Sequence, residues 1–128
     1  MPGYMRIVMI SNSILAALLA IQSPAQFVPV SDQALSQESR ALLRCSAAFA
    51  IVAKGQENGN EAALKWPKLD GRGREFFVRS LAQLMDETGL DRAGISRLVS
   101  AEAQSLWDNQ QVDTIMPSCL VMLERSKI

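Results

Sequence analysis

Residues 35–53 repeat their apolar positions with the period of an α-helix. Leu35, Leu42, Cys45, Phe49, Val52 and Ala53 fall on one side of a 3.6-residue wheel, and Arg40, Arg44 and Lys54 fall on the other. The pattern predicts a long amphipathic helix with one inward face. Gly55 is placed to end it, residues 56–60 carry turn chemistry, and residues 61–66 have the length of one or two helical turns before Pro67 stops them. A second long helix is expected from an Asp70 N-cap to Thr88, with Phe77, Leu81, Leu84, Met85 and Thr88 inward. Gly89 suits a left-handed C-cap, and Leu90 can pack back on Met85. Asp91 then caps a third helix to about Trp107, whose inner face is Ile95, Leu98, Val99 and Leu106. So short a connection predicts an antiparallel hairpin. After a polar loop at 108–111, Asp113 is the expected cap of a last segment with Ile115, Cys119, Met122 and Leu123 inward and Pro117 in its first turn. No stretch alternates apolar and polar residues with β-branched enrichment, so the expected fold is all-α, a small bundle of about four helices.

The chain before this bundle reads differently. Arg6, the apolar residues 7–21 and the small-residue motif Ser23-Pro24-Ala25 have the order of an export signal, with cleavage expected after Ala25. The apolar run is interrupted by Ser11, Asn12 and Ser13 and falls short of the roughly 20 residues needed to span a bilayer. The expected organisation is therefore a signal peptide over residues 1–25 and one helical domain over 26–128, periplasmic or secreted, touching membrane only through an uncleaved signal segment. Residues 26–36 form an extended lead-in, with Pro29 against helix and Ser31, Asp32 or Ser36 available as the first N-cap.

Export changes the meaning of the cysteines. Cys45 and Cys119 lie 74 residues apart, both in apolar segments and not in a C-x-x-C arrangement, so an oxidising compartment predicts a structural disulfide from first helix to last. In the chain-entropy model a loop of that size contributes about 4 kcal/mol.

At 128 residues, 48% hydrophobic and 20% charged, the composition is that of one globular domain. Basic and acidic residues balance at 13 each and are interspersed, which gives no electrostatic footprint for nucleic acid. The absence of histidine excludes a Ser-His-Asp or Cys-His nucleophile and leaves a zinc site only two cysteines and carboxylates to draw on. No metal and no cofactor are expected.

Two carboxylates interrupt apolar stripes. Glu102 lies between Ile95 and Leu106 on helix three, and Glu38 between Leu35 and Leu42 on helix one. A buried carboxylate needs a partner. In a hairpin centred near Gly89, Arg74 comes within a turn of the level of Glu102, so an Arg74–Glu102 ion pair on the inner side is expected, with Glu38 a second inward carboxylate. Residues 65–74 (KWPKLDGRGR) gather four basic residues and a tryptophan; GRGR is neither a P-loop nor a dinucleotide fingerprint and reads as a solvated turn. Trp66, Arg72 and Trp107 are the expected contact surface. Nothing surrounds the carboxylates with substrate-binding groups, so an enzyme is not expected.

The resulting expectation is an exported, non-enzymatic protein acting by contact with an envelope protein partner. Its alternative is a small-ligand binder with an apolar cavity between helices, anchored by Glu102 or Arg74. In size, helical class and cysteine layout, though in no aligned motif, the mature chain loosely resembles the small periplasmic acid-stress chaperones. That resemblance implies inward carboxylates that protonate below about pH 5 and loosen the bundle, exposing Phe76, Phe77 and Leu81.

Overall fold

Ser36, one of the three expected caps, begins the first helix: its hydroxyl oxygen accepts the Ser39 N–H at 3.1 Å. The structure, a computed structural model, describes residues 35–128, and the expected signal segment, cleavage site and lead-in up to residue 34 lie outside the described residues. These form five helices: α1 (Gln37–Glu57), α2 (Glu61–Leu64), α3 (Arg72–Thr88), α4 (Arg92–Asp108) and α5 (Val112–Arg125), with no strand among the described residues. The all-α expectation holds.

Helix α1 is the axis of the bundle, and its neighbours pack around it. Residues 45–49 are buried without a break, so the middle of α1 has no outward stripe. Ser46, Ala47 and Ala48 make this possible, because small side chains let helices approach on several sides at once. The two-sided wheel is corrected accordingly: Leu43 is wholly buried, and Arg44 is half-buried rather than outward.

Gly55 does not end α1. The helix runs on to Glu57 and closes with Gly59 in the left-handed region at φ 72°, the Gly59 N–H donating to the Gln56 carbonyl and the Asn60 N–H to that of Gly55. Gly55 is instead a packing residue, since a Cβ there would meet the Ala63 Cβ at 2.6 Å. Asn60 caps the single turn of α2 by accepting the Ala62 N–H at 2.9 Å. The Gln56 side chain then gathers the following loop: its amide nitrogen lies 3.2, 3.1 and 3.0 Å from the carbonyls of Ala63, Trp66 and Pro67, and its oxygen accepts the Leu69 N–H at 3.1 Å. Leu69 is thereby set into the core.

Helix α3 starts at Gly71 without a side-chain cap; the Asp70 carboxylate accepts the adjacent Gly71 N–H instead of capping the helix. Its buried face is Gly73, Phe76, Ser80 and Leu84, while Phe77, Leu81, Met85 and Thr88 are half-buried beside it. Phe76 meets Phe49 of α1 edge to face, ring centroids 5.2 Å apart. Gly89 takes the left-handed C-cap and Asp91 accepts the Gly94 N–H at 2.8 Å, as expected. Although the chain reverses here, α3 and α4 lean far more on α1 than on each other. Helix α4 buries Ile95, Val99 and Leu106, and α5 buries Met116, Cys119 and Leu123. Pro117 lies in the second turn of α5, not the first, where its ring leaves the Asp113 carbonyl without its i+4 donor. The Cys45–Cys119 disulfide joins first helix to last, with Cα atoms 5.2 Å apart and both residues buried.

Candidate functional site

The expected Arg74–Glu102 pair does not form. Because α3 turns Phe76 and Ser80 inward, Arg74 is carried to solvent, and Glu102 is met from α1 by the Arg44 Nε at 3.3 Å. The pair is unevenly covered: the Arg44 side chain is 43% exposed and that of Glu102 only 11%. Glu38 is exposed in the first turn of α1, where the helix dipole favours a carboxylate, so it is not the inward carboxylate expected. Phe76 is a core residue. Arg72 is drawn away from the tryptophans by α5: its guanidinium donates to the Ile128 backbone oxygen and to Glu124, each at 2.9 Å.

The structure does bring Trp66 and Trp107 together, on one open cleft of about 630 Å³ at the end of α1. Its floor is aliphatic. Ile51 and Val52 come from α1, Ala62 and Ala63 from α2, and Leu106 and Val112 from the α4–α5 corner. Trp66 is fixed in place: its indole N–H donates to Asp113 at 3.2 Å, the Lys65 ammonium binds the other oxygen of that carboxylate at 2.6 Å, and the same ammonium stands 5.2 Å from the ring centroid. The Lys65 hydrogen bond holds the Asp113 carboxyl below its ordinary value, against the opposing effect of burial, and the Trp66 indole adds a lesser downward push. Trp107, by contrast, is 63% exposed.

The rim of the cleft is polar, with Lys54, Asn58, Asn60 and Gln110. Gln110 has φ 54°, a left-handed conformation uncommon for a residue with a side chain. The other such residue among the described residues, Lys127, follows α5 and lies outside the cleft lining. Sequence reasoning found both tryptophans but missed Asn58, Gln110 and the Lys65–Asp113 clamp. The available signal was that Gln110 follows α4 at the position where a helix usually ends in glycine.

A second polar cluster ties two helix ends. The Glu87 carboxylate accepts the Ser36 N–H at 3.0 Å and bonds the hydroxyls of Ser36 and Ser39, clamping the last turn of α3 to the start of α1. The Ser39 and Ser36 bonds hold this carboxyl below its ordinary value. Among the described residues no group of three or more His, Cys, Asp or Glu is placed to hold a metal ion, and no helix is long and apolar enough to cross a membrane. Comparison with family models, curated proteins and solved structures finds no match to this chain.

Proposed function

We propose that this chain is a small exported, non-enzymatic helical protein that works by contact with a protein partner in the cell envelope, and that the tryptophan cleft is its contact face. The observation that carries the reading is Trp107: a large aromatic, 63% exposed, beside an open aliphatic cleft. Exposed aromatics next to an apolar depression are the usual anchors of protein contacts. The disulfide and the Lys65–Asp113 clamp on Trp66 support it by holding the two walls rigid before any partner arrives. The export signal pattern and the disulfide together support the envelope setting.

A photocrosslinking amino acid placed at Trp107, and separately at Val78, tests it in intact cells. Val78 is equally exposed and apolar but lies on α3, away from the cleft. The expected result is discrete protein adducts from position 107 and none from 78. Equal labelling, or none, ends the contact reading. The cleft volume also lies within the range of small-molecule sites, and a small-ligand binder is the second reading. It would be favoured if position 107 yields no protein adduct while native mass spectrometry finds a low-mass species retained by the wild type and lost in Trp107→Ala.

A further inference from the structure

Asn58, Asn60 and Asn109 are the asparagines among the described residues, and the structure engages the carboxamides of the last two. The Asn60 side-chain oxygen accepts the Ala62 N–H at 2.9 Å as the cap of α2, and the Asn109 side-chain amide donates to the Ser105 carbonyl at 2.9 Å. Asn58 stands exposed at the C-cap of α1, and the residue after it is Gly59. We propose that Asn58–Gly59 is a modification site of the folded protein, at which the Asn58 carboxamide is converted to a carboxylate with water as the co-reactant. The site does not depend on what the cleft binds. Asparagine is thermolabile because the backbone nitrogen that follows it closes on its side chain. The Gly59 nitrogen attacks Asn58 Cγ and forms an N–Cγ bond, while the bond from Cγ to the side-chain nitrogen breaks. That nitrogen takes up the Gly59 amide proton and leaves as ammonia. Water then opens the resulting succinimide at either carbonyl, its hydroxyl going to carbon and its other hydrogen to the Gly59 nitrogen. One opening restores the backbone as aspartate, and the other routes it through the side-chain carbonyl as isoaspartate.

The local geometry favours this position over the other two. A side chain on the following residue crowds the attacking nitrogen, and Gly59 has none; no atom lies within 4 Å of where its Cβ would stand. Asn58 has ψ 1°, so the tetrahedral arrangement at its Cα requires the next peptide plane to turn by roughly a third of a revolution before the ring closes. That turn releases the Gly59 N–H from the Gln56 carbonyl, a single hydrogen bond of 3.2 Å at the end of a helix, and glycine absorbs the compensating change in φ. Asn109 is held back by its bond to Ser105 and by the side chain of Gln110 after it. Asn60 is held by the α2 cap, with Glu61 in the first helical position. Conversion sets a negative charge at the C-terminal end of α1, where the helix dipole disfavours it, on the rim that also holds Lys54. Isoaspartate further lengthens the backbone inside the turn that closes α1.

The test is to incubate the folded, disulfide-bonded protein in mildly alkaline buffer beside the free peptide of residues 55–65, then digest it with trypsin and sequence the fragments by mass spectrometry. Asn58 is expected to turn acidic first, as aspartate and isoaspartate together, while Asn60 and Asn109 remain carboxamides. Its rate is expected to lie roughly two- to ten-fold below that of the free peptide, the factor for breaking one backbone hydrogen bond. Asn58→Gln, whose extra methylene demands a larger ring, is expected to stay unmodified at position 58 while keeping the urea midpoint of the wild type, as substitutions at exposed positions usually do. An Asn58 that is still a carboxamide after the free peptide has converted overturns the proposal, because the closure of α1 then protects it. Conversion of Asn60 or Asn109 at the same pace overturns it as well, since the fold would not be selecting the site. Aspartate without isoaspartate overturns the succinimide route on which the proposal rests.

Discussion

Arg44 shows how much depends on single positions. A helical wheel places it outward, yet its Nε lies 3.3 Å from a carboxylate whose side chain is 11% exposed. Truncating it removes one partner of a mostly covered charge, while its own partial exposure tempers the loss through solvent screening. Arg44→Ala is therefore expected to lower the unfolding free energy by about 1 kcal/mol, and Arg74→Ala, exposed on α3, to change it by less than about 0.5 kcal/mol. Urea denaturation of the two variants side by side decides it. Equal effects would mean that the Arg44–Glu102 contact contributes nothing. At this scale the chain itself disclosed that Glu102 needs an answer, since it interrupts an apolar stripe. It did not disclose the answering residue, because that depends on which face α3 turns to α1.

Among the elements, some ends were legible and the ties between them were not. Asp91 and Gly89 lie beside the helix ends they close, and such caps are made by residues within four positions of one another, whereas Asp113 lies inside α5, which starts after Gln111 without a side-chain cap, so the expected Asp113 cap does not form. Gln56 and Glu87 act across 13 and 51 positions, and no local pattern marks them. The Glu87 tie has a pH signature. Because its folded carboxyl titrates below the ordinary 4.5, its contribution is fully present above that value and is lost as pH falls through the lower folded value. Glu87→Gln is expected to melt below the wild type near about pH 7, with the gap closing as pH drops below about 4.5. Asp113 loses its own contribution in the same direction in both proteins and leaves the gap untouched. A gap that is constant from neutral to acid pH would show that the Glu87 charge does not hold α3 to α1. This tie is a rim contact, so the acid response inferred from inward carboxylates has no place in Glu38, and Phe76 is a core residue in contact with Phe49.

For the whole molecule the disulfide is the largest single constraint. It closes a loop of 74 residues, and replacing both Cys45 and Cys119 by serine is expected to cost about 4 kcal/mol in the chain-entropy model, read as a lower urea midpoint. A loss under about 1 kcal/mol would place the stability in the packing around α1 instead. The same bond illustrates what each level of description decides. Helical class, the approximate extent of the three long helices, the caps at Ser36, Gly89 and Asp91 and the pairing of two cysteines follow from the chain alone, because periodicity, turn chemistry and an even cysteine count are local or compositional properties. That α1 is a central axis was hidden, since alanine and serine carry too little hydropathy to mark a buried turn. Only the tertiary structure set Trp66 and Trp107, 41 positions apart in the chain, on one cleft, separated them from Arg72, and put Gln110 on its rim. Those relations depend on the angles at which α2 and the α4–α5 corner meet the end of α1. Such angles come from the sum of all contacts across the core, with Gly55 against Ala63 and Gln56 around the α2 loop among them, and no single stretch of sequence contains that sum.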